Sequence, residues 1–245
     1  MKNIKLTIQF DGTSYHGWQT QRSDRTVQKT IQDALSKILN ISVKLHGSGR
    51  TDAGVHALGQ VAHFATESDM GSKNLIKGVN SLLPPDIAVR KAEEVDPDFH
   101  SRFSAKSRIY WYLIWNFPER STFYAKYSWH IIKQLDLSAM RQSAESLIGV
   151  HDFTSFQGSD KEKVSPVREV MAIRFKRLYR NMIFFEIKAN AFLKHMVRNI
   201  IGTLADVGKE RLTIDGFKEI IDKKDRRCAG ATAPAHGLFL KEVKY

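Results

Sequence analysis

The sequence has few features that would cross-link a chain or anchor it in a membrane. It contains one cysteine among 245 residues, Cys228, so neither an intramolecular disulfide nor an all-cysteine metal site can form. No run approaches the roughly 20 apolar residues of a membrane-spanning helix. The first twelve residues alternate polar with apolar, unlike the continuous apolar core of a signal peptide. We therefore expect a soluble protein of the reducing cytoplasm that has no membrane partner.

Two common site signatures are also absent. Gly47–Thr51 superficially suggests a phosphate-binding loop, but the spacing G-x-x-x-x-G-K-[ST] does not occur, which argues against an ATPase or another nucleotide-cofactor enzyme. No H-x-x-x-H or C-x-x-C pair accompanies the candidate metal ligands His46, His56, His63 and Cys228. We expect neither a metal nor a nucleotide cofactor.

Basic residues are abundant. Lys and Arg number 38 against 26 Asp and Glu, which gives a formal net charge of +12 and favours a polyanionic partner such as nucleic acid. Charge alone is also compatible with a protein that binds nothing anionic. Basic clusters occur at Lys223–Arg227, at Lys176 and Arg177 with Arg180, and at Lys106 with Arg108. They fall in predicted turns and strands rather than along one helical face, which disfavours a membrane-surface helix.

Hydrophobic periodicity predicts two α/β units. Strands are predicted at residues 3–10, 41–45, 59–66, 87–95, 107–116, 124–132, 167–178, 182–189 and 238–243, with a turn at 179–181. Helices are predicted at residues 27–39, 73–83, 138–148, 192–207 and 214–223. Because the order is coarsely repeated, we expect two similar units, 1–104 and 105–245, of mixed or antiparallel sheets with helices packed on them. A central basic cleft between them would bind RNA.

The stretch His46–Ala57 concentrates the chemistry. Its single carboxylate, Asp52, lies next but one to Arg50 among three glycines. Glycine allows backbone to approach a ligand closely and to adopt positive φ, so the shape of this loop is dictated by its sequence. A competing interpretation is structural, because an Asp after Thr in a glycine-rich loop is often a turn residue or a helix cap.

Five motifs occur in the same order across nearly the whole chain. They are Phe10–Thr13 with Gly17–Gln21, Gly49–Ala57, Phe103–Ser104 with Arg108–Tyr112, Phe192–Arg198 and Gly237–Leu240. Together they closely resemble the tRNA pseudouridine synthase A (TruA) family. The resemblance implies the pseudouridine synthase fold and an isomerase that converts uridine to pseudouridine at positions 38, 39 and 40 of the tRNA anticodon stem-loop. It also implies no cofactor, and a homodimer with tRNA reaching across both subunits.

The resemblance assigns Asp52 to breaking the glycosidic bond, for which an ionised carboxylate can act as nucleophile or as an anion beside the developing positive charge. Attack on C1′, attack on the base and help in removing a sugar proton all stay open. Arg198 would keep this carboxylate ionised, with Lys194 as the competing candidate. Arg50 would intrude into the RNA as the uridine leaves the stack, or would simply bind phosphate.

Tyr110 matches the family tyrosine that stacks on the extruded uracil or accepts the proton of C5. Stacking needs only the ring, whereas an unperturbed phenol is a weak base at neutral pH. The structural alternative is that Tyr110, Trp111, Tyr112 and Trp115 are sheet-core aromatics. Leu240 would be an apolar platform for the base, although core packing explains a strand leucine equally well. A non-catalytic tRNA-binding or folding protein that uses the same basic cleft is the alternative function, which the matches at Asp52 and Tyr110 disfavour.

Overall fold

The structure is a computed structural model, and it describes residues 1–21, 24–159, 164–178 and 181–245. Tyr179 and Arg180, which belong to a predicted turn and a basic cluster, lie outside the described residues. The chain divides into two compact units. The first comprises Met1–Lys106 and Phe239–Tyr245, and the second comprises Ser107–Leu238. The sequence placed all of residues 105–245 in the second unit, whereas the last seven residues pack with the first.

The first unit is a sheet with two helices. In chain order it contains β1 (Lys2–Phe10), α1 (Val27–Leu39), β2 (His46–Gly47), β3 (His56–Thr66), α2 (Ser72–Leu82), β4 (Ile87–Val95) and, after the whole second unit, β10 (Leu238–Lys244). The strand order is β4-β1-β3-β10, with β2 also on β3. Among the described strands of this unit the pairs are antiparallel except β3 with β10, which run parallel, as the long connection between these two strands permits.

Alternation and helical spacing explain the core of this unit. Leu6 and Ile8 of β1 share one face of the strand and are at most 1% exposed, as are Ile31 and Leu35 on the apolar stripe of α1. Helix α1 ends at Asn40, whose φ of 52° lies in the left-handed region that commonly terminates helices. The sheet and helices therefore bury the residues that periodicity places on their inner faces.

The second unit has the same two kinds of layer. In chain order it contains β5 (Ser107–Trp115), β6 (Trp129–His130), α3 (Leu137–Glu145), β7 (Gly149–Asp152), β8 (Val167–Arg177), β9 (Met182–Ala189), α4 (Met196–Gly208) and α5 (Ile214–Lys223). Its antiparallel sheet has the order β5-β9-β8-β7, and β6 runs parallel to β5. Helices α3, α4 and α5 contact one another. The predicted α/β class is confirmed.

Residues 41–45 are not the strand that their apolar character predicts. Val43 and Leu45 are buried, but their backbone groups bond to side chains of α1 instead of a neighbouring strand. The Leu45 carbonyl accepts from Gln28 Nε2 at 2.7 Å, and the Leu45 amide donates to Gln32 Oε1 at 3.1 Å. Side-chain amides thus supply the hydrogen-bond partners of this backbone, so the extended segment does not need a neighbouring strand.

No helix of the described segments has the length and apolar character needed to span a bilayer.

Candidate active site

The Asp52 loop joins β2 to β3 and is held by backbone hydrogen bonds. The Trp18 amide donates to the Thr51 carbonyl at 3.1 Å, and the Gly54 amide donates to the Tyr15 carbonyl at 3.4 Å. Within the loop, the Val55 amide donates to the Asp52 carbonyl at 3.2 Å. The backbone is therefore fixed on both sides of Asp52, whose side chain is half-buried, while Arg50 is exposed.

Two glycines let the N-terminal segment approach this loop closely. A Cβ at Gly12 would lie 2.0 Å from the Val55 carbonyl oxygen, and a Cβ at Gly17 would lie 2.5 Å from the Thr51 carbonyl oxygen. Gly17 also has a φ of +85°. The segments Phe10–Thr13 and Gly17–Gln21 thus pack directly against the Asp52 loop. This N-terminal motif and the Gly49–Ala57 motif are far apart in sequence but form one structure.

The start of the loop is tied to β3 through a buried glutamine. Gln60 is fully buried, and its Nε2 donates to the Gly49 carbonyl at 3.0 Å. Ser48 contributes its amide to the Val61 carbonyl at 2.8 Å and its hydroxyl to Gln60 Oε1 at 2.6 Å. These bonds fix the backbone immediately before Arg50, and they leave little freedom in the direction in which the chain enters Asp52.

His56, one of the candidate metal ligands, has structural contacts. His56 Nδ1 lies 3.1 Å from the Gly12 amide and 3.0 Å from Asp11 Oδ1, and its ring stacks on Phe239 with 4.7 Å between centroids. Within the described residues, no group of three or more His, Cys, Asp or Glu side chains could hold a metal ion. The histidine beside the Asp52 loop therefore packs β3 against β10 and Gly12.

Leu240 lies in β10, opposite Ala57 of β3 in the parallel register. Its side chain is 2% exposed. The partner strand β3 begins directly after the Asp52 loop. Leu240 and Ala57 both belong to the first unit.

The aromatic residues of β5 differ in burial and in hydrogen-bond partners. Tyr112 is fully buried and donates from its hydroxyl to the Pro234 carbonyl at 2.8 Å, and burial raises the pKa of this phenol. Trp111 donates from Nε1 to Glu186 Oε2 at 2.8 Å. Tyr110 is half-buried, with Phe192 packed edge-on against it at 5.0 Å between centroids. The sheet-core interpretation thus fits Tyr112 and Trp115, which is 7% exposed, whereas Tyr110, on the same face of the strand as Tyr112, keeps part of its ring exposed.

Arg198 lies in the first turn of α4. This helix begins at Met196, so the predicted start at residue 192 is wrong, and Phe192 and Lys194 lie outside the helix. The cause is His195, whose φ of 60° is left-handed and interrupts the helical pattern. Arg198 is half-buried and donates from Nε to the Ala233 carbonyl at 2.8 Å, while Lys194 is exposed.

Arg226 is a residue whose role the sequence did not reveal. Its place in a basic cluster predicts a surface cation, yet its guanidinium is half-buried and donates to Asn199 Oδ1, Thr232 Oγ1 and the Ala229 carbonyl, each at 3.1 Å. It thereby fixes residues 229–233 against α4, and Ala233 of this segment holds Arg198. The small residues at 229–233 are the signal in the sequence that could have indicated this role. A segment with such short side chains has few contacts of its own, so a larger neighbouring side chain has to hold it.

The rest of the Lys223–Arg227 cluster has partners of opposite charge. Lys223 lies 3.4 Å from Glu219, and Lys224 lies 3.4 Å from Asp152. Arg227 bonds to both carboxylate oxygens of Asp225, and this lowers the pKa of Asp225 to about 2. The cluster therefore presents less unbalanced positive charge than its sequence indicates.

The five predicted site residues divide between the units. Arg50, Asp52 and Leu240 belong to the first unit, and Tyr110 and Arg198 belong to the second. Arg50 and Asp52 share one rigid loop, and Arg198 is oriented by the 229–233 segment.

Comparison with known proteins assigns the family. A family model described as tRNA pseudouridine synthase matches residues 6–104 and 143–245. The chain belongs to the tRNA pseudouridine synthase family. Relatives named tRNA pseudouridine synthase A from Ruminiclostridium cellulolyticum and Thermodesulfovibrio yellowstonii are 44% identical over the full length of both chains. The relative of that name from Buchnera aphidicola is 43% identical, with 100% of this chain and 92% of the relative covered.

As a tRNA pseudouridine synthase, the protein is an enzyme that isomerises uridine in tRNA. The predicted family and enzyme class are confirmed, and the non-catalytic alternative is set aside. Among solved structures, an archaeal box H/ACA sRNP Nop10–Cbf5 complex is 14% identical, with 83% of this chain and 43% of that chain covered. Its TM-score of 0.34 is too low to add to the assignment.

Proposed function

We propose that this pseudouridine synthase acts on uridines 38, 39 and 40 of the tRNA anticodon stem-loop, with Asp52 as the nucleophile. The observation that carries the proposal is the fixed presentation of one half-buried carboxylate. Backbone hydrogen bonds hold the loop on both sides of Asp52, and Gly12 and Gly17 support it at distances that no other residue type would permit. A carboxylate held in this way needs little reorganisation to meet a reacting sugar or base.

The reaction is an isomerisation in which all atoms are retained. The bond between N1 of uracil and C1′ breaks, the base rotates, and C5 bonds to C1′. The proton of C5 leaves and N1 acquires one, so no oxidant or reductant is consumed. Asp52 adds as the nucleophile when the first bond breaks and is released unchanged when the second bond forms. The family resemblance assigns to Arg198 the role of the cation that keeps Asp52 ionised, which an always-protonated guanidinium can fill.

Access to a uridine within a paired stem requires base flipping. Arg50, exposed on the loop that carries Asp52, fills the space that the base vacates. Tyr110 stacks on the extruded uracil, for which its half-exposed ring, supported edge-on by Phe192, is suited. Leu240, 2% exposed in β10, forms part of the apolar floor under the base.

The molecular context completes the proposal. The enzyme works in the cytoplasm as a homodimer, and one tRNA contacts both subunits. Support comes from the resemblance of its motifs to the TruA family and from the net charge of +12, which favours a large polyanionic ligand.

Replacement of Asp52 by Asn tests the catalytic assignment. We expect the Asp52→Asn variant to lose at least ~10³-fold in the rate of tritium release from C5-labelled uridine in a tRNA transcript, because the amide is a poor nucleophile. Its affinity for tRNA should stay within about twofold, since the two side chains have nearly the same size. Asp69→Asn is the control, because that carboxylate is 93% exposed. Near-normal turnover by Asp52→Asn would refute the assignment.

The position specificity needs a separate measurement. Pseudouridine is mapped in tRNA from cells with and without the gene. We expect the modification at 38, 39 and 40 to disappear together. Loss at other positions only would contradict the proposed target while leaving the enzyme class intact.

A further inference from the structure

A rigid turn at His100–Ser104 exposes the ring of Phe103. The Ser104 amide donates to the His100 carbonyl at 2.9 Å, and the His100 amide donates to Ser104 Oγ at 3.0 Å. His100 Nδ1 also accepts from the amides of Arg102 at 3.1 Å and Phe103 at 3.4 Å. Although its backbone is fixed in this way, the Phe103 side chain is 76% exposed. The turn holds an aromatic ring in solvent instead of folding it inward.

Other rings support Phe103 from behind. Its centroid lies 4.4 Å from that of His100, with 33° between the planes. His100 in turn packs against His63 at 4.6 Å and His46 at 5.7 Å. The guanidinium carbon of Arg102 lies 5.7 Å from the Phe103 centroid. One face of Phe103 thus has aromatic support, and a cation lies beside the ring.

This arrangement has the properties of a base-stacking site. Bases that are not paired in a helix stack on aromatic side chains, and nearby cations contact their phosphates. An exposed phenylalanine has no favourable interaction with water, whereas a nucleobase would cover its face. The chain carries a net charge of +12, and its substrate is tRNA. None of the proposed catalytic roles involves the Phe103–Ser104 motif. Base stacking would give this motif a function.

We propose that Phe103 is a stacking platform for an unpaired nucleobase of the bound tRNA and that Arg102 binds an adjacent phosphate. The proposal rests on tRNA as the ligand and is independent of the roles assigned to Asp52 and the target positions.

The platform is mechanically connected to the catalytic loop. Ser101, next to His100, donates from Oγ to the His46 carbonyl at 2.7 Å. His46 opens β2, the strand from which the Asp52 loop begins. A base stacked on Phe103 is therefore held by the same framework as Asp52, so the platform contributes to the register of the RNA on the first unit.

The test compares tRNA affinities of matched variants. Phe103→Leu keeps an apolar side chain and removes the aromatic face, and Phe103→Trp keeps the face. With an unmodified tRNA transcript, we expect Phe103→Leu to weaken binding roughly 5- to 100-fold and Phe103→Trp to bind like wild type. The slope of log Kd against log salt should stay unchanged in Phe103→Leu and should become shallower in Arg102→Ala, which can no longer neutralise a phosphate.

Phe123→Leu is the control, because this phenylalanine is 85% exposed in the second unit. Unchanged affinity of Phe103→Leu, or an equal loss in Phe123→Leu, would overturn the platform. If the affinity loss is accompanied by a lower mass in sedimentation, Phe103 contacts a second copy of the chain instead of a base.

Tritium release by the wild type is measured in parallel. Turnover by the wild type with normal binding by Phe103→Leu would refute only the platform, whereas tRNA binding without turnover would refute only the catalytic proposal.

Discussion

At the scale of single residues, the orientation of Arg198 comes from the protein backbone. Its Nε donates to the Ala233 carbonyl, and the Ala233 amide donates back to the Arg198 carbonyl at 3.1 Å. A planar guanidinium can make such a bond and still direct its remaining donors towards a carboxylate. Lysine lacks this planar fork, so its ammonium cannot hold the Ala233 carbonyl and a carboxylate in the same fixed geometry.

We therefore expect Arg198→Lys to lower kcat by roughly 10²-fold, the usual effect of removing a preorganised electrostatic contact. Its KM for tRNA should change much less, because the overall charge is retained. Single-turnover and steady-state kinetics on a tRNA transcript measure both. Lys194→Ala, at an exposed position before the helix, is the control. A larger kcat loss in the control would transfer the role to Lys194.

His63 makes the stability of the first unit depend on pH. Burial, followed by the nearby His100 and His46, lowers the pKa of His63 from its ordinary value near 6.5 to about 4. The Ser101 amide also donates to its Nδ1 at 3.2 Å, which requires an unprotonated nitrogen. Between pH 6.5 and 4 the unfolded chain binds a proton at this site and the folded chain does not. Stability is thus retained above this window and falls as the pH decreases through it.

The loss from this one group should approach about 3 kcal/mol by pH 4. Urea unfolding from about pH 7 to about pH 4.5 measures it, with His63→Gln as the comparison. The variant should be less stable at neutral pH and should lose less stability on acidification. Parallel pH profiles of the two proteins would show that His63 is not the titrating group.

At the residue scale, the sequence identified residues with characteristic neighbours. Asp52 is predicted from its glycine loop and Tyr110 from an aromatic motif, and both roles stay predictions. Arg226 was missed because its function depends on Asn199 and Thr232, which its own sequence position does not reveal. An arginine exposed on the surface and one that holds a buried segment look the same in sequence. Only the folded structure shows which of the two Arg226 is.

At the scale of elements, the packing of α4 depends on Gly202. A Cβ there would lie 1.7 Å from the Ala231 carbonyl oxygen and 3.3 Å from the Ala233 amide nitrogen. Alanine normally stabilises a helix relative to glycine by about 1 kcal/mol. Here the backbone of the 229–233 segment would have to move, and Arg198 would lose its acceptor.

Gly202→Ala should therefore destabilise the protein by about 1–3 kcal/mol despite its better helix propensity, and it should also reduce kcat. Urea unfolding and single-turnover kinetics measure the two effects. Gly71→Ala is the matched control, since nothing lies within 4 Å of a Cβ at that glycine. Gain of stability in Gly202→Ala would contradict the close contact.

The bounds of elements with strong hydrophobic periodicity were predicted well, whereas a strand predicted from aromatic composition was wrong over most of its length. The bounds of α1, β4, β9 and α5 agree with the sequence prediction, because each shows one clear apolar face. Residues 124–132 were predicted as a strand from their aromatic content, yet only Trp129–His130 pair with β5. Turns occupy the preceding residues, with the Tyr127 amide bonded to the Tyr124 carbonyl at 2.9 Å. Side-chain type indicated burial there, and local hydrogen bonding decided the structure.

At the scale of the whole molecule, net charge governs the encounter with tRNA. A charge of +12 predicts strongly salt-dependent affinity, since each phosphate that the protein neutralises releases counterions. The exposed cations at the end of α5 are paired with acids of the protein, and Arg226 is used internally. Lys223, Lys224 and Arg227 are therefore the residues of this cluster that a test of RNA binding should replace.

Replacing these three residues together by Gln should weaken tRNA binding and make the slope of log Kd against log salt shallower. The decrease should be up to ~0.9 for each phosphate that the variant no longer neutralises. Filter binding at roughly 50 to 200 mM salt measures the slope. Arg226→Gln should leave the slope unchanged and lower stability. An unchanged slope in the triple variant would place the cluster outside the RNA interface.

The sequence also predicted two units, but it could not assign the final strand. Residues 239–245 follow the second unit without a break, and their alternation says nothing about which sheet they join. The register of Phe239 with His56 and of Leu240 with Ala57 decides it. A long-range strand pair of this kind leaves no trace in local periodicity.

This return of the chain has a consequence for biosynthesis. The ribosome delivers β10 only after every residue of the second unit, so β3 waits through more than half of translation without its parallel neighbour. While the second unit is being synthesised, the sheet of the first unit, which includes the strand after the Asp52 loop, is still incomplete. The strand that follows the Asp52 loop therefore gains its partners Phe239 and Leu240 only at the end of synthesis.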